Sequence, residues 1–231
     1  MWKRPIIFAV FMLVALSICS CSSRGGASES GGNILVNPGF EEGAKGWFWM
    51  DWSKAWIGPF DISEVIAHTG KMSAYLKLDE HMDNPKKIRG VVQSLNPDKF
   101  PRIASGWYRV ENWHRGVPKQ YIQAVVIAWE KYGDFPNYQL RYVLDGVSQQ
   151  PLPISNARYT ILTKTAEPET GKWKYFDLPI RDDYKKFWGQ IPKNYEKINF
   201  FCEVRYDDPL PVGGYVGADV YFDDLYVGEG K

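Results

Sequence analysis

The sequence predicts an all-β jelly-roll β-sandwich with one short helix at most, and three observations carry that expectation. The apolar pattern runs mostly at period two, and the elements are short, with Gly, Pro, Asn and Asp punctuating them throughout. Several strands, notably Gln123-Ala124-Val125-Val126-Ile127-Ala128-Trp129, are apolar on both faces. Such a strand sits centrally in a stacked arrangement or faces a lined groove. A jelly roll with a concave face satisfies both.

In chain order, Lys3 and Arg4 precede an apolar run from Ile6 to Ile18, followed by Cys19-Ser20-Cys21-Ser22-Ser23. These are the parts of a signal peptide. The run makes about 20 Å of helix, short of a hydrocarbon core of about 30 Å, which disfavours a permanent span. The segment resembles a bacterial lipoprotein signal, with an aliphatic residue three before the acceptor cysteine and a small residue directly before it. Cys21 fits, with Ile18 and Ser20 in those places, whereas Cys19 has bulky Ile18 beside it. The resemblance implies a leader over 1–20, lipidation at Cys21 and a bacterial cell-envelope location outside the cytoplasm, at the outer membrane or cell surface. Membrane contact would then be through the lipid anchor only. Residues 21–32 are Ser, Gly, Arg and Glu with one Ala after the cysteine, the composition of a flexible tether. The remaining 33–229 suit one domain with a real core.

With Cys21 anchored and Cys19 removed, Cys202 is left as one thiol in an apolar stretch, which reads as a small core hydrophobe. The charge is nearly balanced, 28 basic residues against 27 acidic, with no basic block. That argues against nucleic acid and against a polybasic membrane patch. Ten Trp, 14 Tyr and 12 Phe suggest rings with work beyond filling a core.

Strands are expected at 72–78, 88–95, 102–110, 121–129, 138–144, 159–165, 173–178, 197–206 and 215–227. The one helical candidate runs from Asp182 to Phe187, opened by an Asp pair and stopped by Gly189 and Pro192. No internal repeat is present.

Four segments carry a resemblance to a known family. They are Asn33-Ile34-Leu35-Val36-Asn37-Pro38-Gly39-Phe40-Glu41-Glu42-Gly43 with Gly46-Trp47, then Ala67-His68-Thr69-Gly70-Lys71-Met72-Ser73-Ala74-Tyr75-Leu76, then Ser105-Gly106-Trp107-Tyr108-Arg109, and last Val220-Tyr221-Phe222-Asp223-Asp224-Leu225-Tyr226-Val227. In this order they resemble CenC-type carbohydrate-binding modules, jelly rolls of the galactose-binding-domain-like group. The resemblance implies that fold and a polysaccharide or glycan as partner.

On the last strand, the parity of Leu225 and Val227 puts Asp223 on the apolar face, where a carboxylate needs a cation or hydrogen-bond donors. The resemblance implies a structural calcium ion joining the first and last strands, with Glu41 and Asp223 as side-chain ligands and backbone carbonyls near Thr69 and Lys71. Calcium takes six to eight hard oxygens, which acidic side chains and loop carbonyls supply. The alternative is that Glu41 pairs with a Lys or Arg and Asp223 accepts backbone N–H bonds.

Sugar rings present apolar faces and polar edges, so a saccharide site needs flat aromatic platforms with hydrogen-bonding side chains around them. The densest supply is Trp47 to Trp56. Trp47 matches the family's core tryptophan, which leaves Trp49, Trp52 and Trp56 as ligand candidates. On the strand around Trp107, small residues at Ala104 and Gly106 face the core with Tyr108, so Trp107 and Arg109 point to the groove. Trp113, Glu130 and Tyr132 are further candidates, whereas Trp129 reads as core.

The histidines His68, His81 and His114 lack metal-ligand spacing, and there is no nucleophile elbow, Walker loop or dinucleotide-binding glycine pattern. The sequence therefore reads as a binding protein rather than an enzyme, any hydrolase partner being a separate protein. Two alternatives stand. One is a jelly-roll glycoside hydrolase or polysaccharide lyase, although the pairs Glu41/Glu42, Asp182/Asp183 and Asp207/Asp208 are adjacent and diverge on a strand. The other is a structural or protein-interaction lipoprotein of the same fold with no sugar site.

Overall fold

The computed structural model describes residues 32–81, 87–130, 138–147, 149–193 and 195–230. These belong to the unit Gly31–Lys231; the unit Met1–Ser30, including Cys21 and the expected leader, lies outside the described residues. Among the described residues, ten strands and one helix follow in the order β1 (Asp61–Ser63), β2 (Ser73–Glu80), β3 (Ile88–Leu95), β4 (Ile103–His114), β5 (Gln120–Glu130), β6 (Tyr138–Asp145), β7 (Ala157–Ile161), β8 (Trp173–Leu178), α1 (Ile180–Trp188), β9 (Tyr195–Tyr206) and β10 (Val216–Gly228).

The strands form a jelly-roll β-sandwich of two five-stranded sheets, ordered β1-β2-β10-β4-β8 and β3-β9-β5-β6-β7. The named strand pairs are antiparallel, apart from the parallel pair β6–β7. Strands β3 and β8 cover the residues that alternation marks. The three-residue β1, carrying Asp61 and Ser63, has too little alternation to signal itself.

The main core lies between the sheets. Ala104, Tyr108 and Val110 of β4, Ile122, Ala124 and Val126 of β5, and Ile198, Phe200, Cys202 and Val204 of β9 fill it. Cys202 is fully buried there, and burial pushes its thiol pKa up, as expected of an inert core cysteine. Gly106 is required on β4: a Cβ would stand 2.5 Å from Leu225 Cδ2 and 3.1 Å from Phe176 Cζ. Burying these side chains contributes roughly 1.5–3 kcal/mol each relative to exposure.

Helix α1 covers one end of the sandwich through Ile180 and Tyr184. The Tyr184 hydroxyl donates to the Tyr138 carbonyl at 2.7 Å and accepts from the Ala128 N–H at 3.2 Å. Asp183 accepts from the Tyr142 hydroxyl at 2.8 Å, which ties the first turn to β6. Gly189 ends the helix at φ 73°, donating to the Lys185 carbonyl.

One parity expectation fails. Val220 and Phe222 face the core together with Leu225 and Val227, so the alternation slips between them. The slip is a β-bulge against β4, with Asp224 in the left-handed region at φ 47°. Asp223 is therefore on the outer face with Tyr221 and Asp219, although it is fully buried. The turn at 66–72 covers it.

Candidate functional site

The outer face of the second sheet is built by alternation. With β5 core-facing at Ile122, Ala124, Val126 and Ala128, the residues Tyr121, Gln123, Val125, Ile127 and Trp129 turn outward. The register sets them in rows across the sheet. Gly90, Glu203, Gln123 and Val143 form one row; Val92, Phe201, Val125, Arg141 and Tyr159 form the next; Ser94, Asn199, Ile127 and Gln139 follow.

Two apolar groups flank this surface. One gathers Trp56, Ile88, Val92, Val125, Ile127 and Phe201, with Trp49, Met50, Ala55 and Trp129 packed against them. The other holds Tyr121, Val143 and Val147 with Tyr159 and Ile161. The Trp56 segment is tied to β3 by bridges at Phe48–Val92 and Trp56–Ile88.

Polar side chains run between these groups. Gln123 Nε2 donates to Glu203 Oε2 at 2.5 Å, and Arg205 lies 3.8 Å from Glu203 and 2.5 Å from Asp207. Arg141 donates to Gln139 Oε1 through Nε at 3.1 Å and Nη2 at 2.8 Å. Four buried atoms on this face have no partner among the described residues: Gln123 Oε1, Asn199 Oδ1, Arg141 Nη1 and Trp129 Nε1. Two are acceptors and two are donors. Leaving such a group unpaired costs about 1–3 kcal/mol, so four of them weigh against a domain stability of only about 5–15 kcal/mol.

Only some of the residues singled out in the sequence meet here. Trp49 and Trp56 do, Trp56 as a buried wall at 3% exposure. Trp52 is 71% exposed and belongs to neither apolar group. Trp129 lies on this face rather than in the main core, against expectation. The backbone of Glu130 ends β5, and its side chain and Tyr132 lie outside the described residues. Trp113 packs against the main core, with its ring beside Gly146, because Asn112 at φ 49° breaks the alternation of β4.

Trp107 and Arg109 face outward as expected, but from the other sheet. The Trp107 ring stacks on His68 with centroids 4.1 Å apart, and Tyr175 lies 5.2 Å away. Arg109 pairs with Glu111 at 2.5 Å. The residues missed in the sequence are Gln123, Gln139, Arg141, Asn199 and Glu203. A signal was present, since each is a polar residue at an outward parity between two apolar or aromatic neighbours.

The residues expected to hold calcium converge on the turn at 66–72. Asp223 Oδ2 accepts from the N–H of His68 at 2.7 Å and of Thr69 at 3.2 Å, and Oδ1 accepts from the N–H of Asp224 at 2.7 Å. Glu41 Oε1 accepts from the N–H of Lys71 at 2.7 Å and of Met72 at 2.9 Å. Gly70 has no Cβ to obstruct it, since one would stand 2.2 Å from Glu41 Oε1. Two hard carboxylates bracketing one turn suit calcium in kind. In number they need backbone carbonyls to reach six, and no three His, Cys, Asp or Glu side chains converge among the described residues.

A separate concavity of about 630 Å³ lies between the segment after β3 and α1, lined by Lys99, Phe100, Arg181, Lys185, Lys193 and Tyr195 among others. Glu229 pairs with both Arg181 and Lys99 there.

No family model matches the chain, and no curated protein matches it. Solved structures do. A structure described for the promiscuous specificity of carbohydrate-binding modules of the β-sandwich superfamily aligns with a TM-score of 0.51 at 13% identity, over 87% of this chain and 64% of that one. The module TmCBM61 in complex with β-1,4-galactotriose aligns at 0.42 and 15% identity, over 86% and 99%. A xylan-binding domain from Paenibacillus barcinonensis aligns at 0.43 and 15%, over 87% and 97%. At such identities the likeness concerns the fold.

Proposed function

We propose that the chain is a non-catalytic carbohydrate-binding protein and that the outer face of the second sheet is its glycan site. The observation that carries the reading is the set of four unpartnered buried atoms, two donors and two acceptors, lying among Trp49, Trp129 and Tyr159. A sugar hydroxyl both donates and accepts, and a pyranose face suits an aromatic ring, so a saccharide satisfies both halves of this surface. The β-sandwich likeness to carbohydrate-binding modules supports it. Glu203 on the face and Asp207 just past the end of β9 are both engaged by Arg205, which suits holding a sugar better than transferring protons to it.

The lipoprotein-like leader supports anchoring through Cys21, which would hold the domain at the bacterial envelope. Among the described residues no helix is long and apolar enough to cross a membrane. A calcium ion held by Glu41 and Asp223 with carbonyls near Thr69 and Lys71 remains part of the proposal, supported by the convergence of both carboxylates on one turn. It would join the chain's first loop to its last strand.

Glycan arrays and affinity gels test the reading. Trp129→Ala and Asn199→Ala should each weaken retention by at least about tenfold, the equivalent of 1.4 kcal/mol. Retention equal to wild type in both variants places the site elsewhere. Bond cleavage in the same assay replaces the reading with an enzyme. The second reading is a protein partner on the other sheet, favoured by Tyr175, 55% exposed beside Trp107.

A further inference from the structure

We infer that the saccharide bound on this face carries an acidic group, a carboxylate or a sulfate ester, and that Arg141 pairs with it; this rests on the glycan reading of the same face. Arg141 is nine-tenths buried, at 9% exposure, between Val125 and Tyr159 in register. Two of its nitrogens donate to the neutral amide oxygen of Gln139, and Nη1 has no acceptor among the described residues. A guanidinium out of water is costly unless an anion and further hydrogen bonds compensate it.

The face contains acids, but they are committed elsewhere. Arg205 stands against both Glu203 and Asp207, and Asp207 also accepts from the Tyr121 hydroxyl at 2.8 Å. Among the described residues, one arginine thus serves two carboxylates and the other serves none. Arg141 on β6 and Glu203 on β9 are separated by β5, about 10 Å at ordinary strand spacing. The separation orients the ligand. Its acidic group goes to the β6 side, where the planar guanidinium grips an oxyanion through adjacent N–H groups. Its hydroxyls go toward Gln123, Asn199 and Glu203. Tyr159 commits its hydroxyl to the Leu152 carbonyl at 3.1 Å, which leaves its ring as the contact beside Arg141.

Affinity electrophoresis of the full chain tests this, with polygalacturonate as the carboxylate polymer, dextran sulfate as the sulfate polymer, and galactan and xylan as neutral ones. Wild type should be retarded by at least one acidic polymer, and which one identifies the group. Arg141→Gln should lose at least about tenfold in that affinity, and Arg141→Lys should keep part of it. Lys172→Gln, an equal loss of charge at a site outside the face, should migrate like wild type. Thermal melting checks that the Arg141 variants fold. Equal losses in Arg141→Gln and Lys172→Gln overturn the inference as general charge attraction. Retardation by neutral polymers only, unchanged in both Arg141 variants, overturns it and leaves the glycan reading standing. No retardation by any polymer overturns both.

Discussion

The indole of Trp56 lies against the bare backbone of Gly90, where a Cβ would stand 2.7 Å from its Cη2 atom and 3.0 Å from the Cys202 carbonyl. A loop residue is thereby locked onto β3, the edge strand of the second sheet, forming the apolar wall of the candidate site. Gly90→Ala should destabilise the domain by about 1–3 kcal/mol through overpacking. Trp56→Ala should cost about 3–5 kcal/mol, and exposed Trp52→Ala less than about 0.5 kcal/mol. Urea unfolding of the three variants checks the order; a Trp52→Ala loss as large as that of Trp56→Ala would contradict the wall.

Arg141 has no acid partner among the described residues, so it should contribute little to stability. Replacing it with Met removes a poorly compensated charge at similar volume, at the expense of the bond to Gln139. The Arg141→Met variant should unfold within about 1 kcal/mol of wild type or later. A loss beyond about 2 kcal/mol would mean that the guanidinium supports the fold.

Asp223 supplies a pH dependence. Burial pushes its carboxyl up to about 6, against the backbone N–H bonds from His68, Asp224 and Thr69 that favour the ionised form. The folded chain therefore holds this proton more tightly than the unfolded chain, whose aspartates titrate near 3.9. The contribution is fully present below pH about 4 and is lost as pH rises through about 6, a change of roughly 2–3 kcal/mol. In chelator, the stability of wild type relative to Asp223→Asn should fall across that window. A difference independent of pH would rule out the buried titration.

Calcium offers a separate measurement. If the ion joins Glu41 and Asp223, chelation at neutral pH should lower the melting temperature of wild type, and Glu41→Ala should abolish the difference. Identical melting with and without calcium would leave the backbone N–H bonds as the whole account of both carboxylates.

Much of the sandwich was legible because alternation is a local signal. Strands β3 and β8, the two-faced character of β5, the helix stop at Gly189 and the burial of Cys202 all follow from residue type and period. Legibility failed where one backbone residue leaves the β region. The left-handed Asp224 and Asn112 each shift a strand's alternation, moving Asp223 outward and turning Trp113 toward the core. Nothing in their residue types distinguishes these positions from ordinary turn-formers.

The candidate site was less legible, since tryptophans attract attention and polar strand residues do not. Trp107 and Arg109 were expected on the ligand face and do face outward, yet strand order puts β4 in one sheet and β5, β6 and β9 in the other. Which strands share a sheet depends on pairings between segments far apart in the chain, and no local period encodes it. The sequence by itself determined the all-β class, most strand positions and the aromatic supply, because these depend on side-chain chemistry and near neighbours. Only the tertiary structure decided that Gln123, Arg141 and Asn199 share one face beside Trp129, because hydrogen-bonded register between distant strands brings them together.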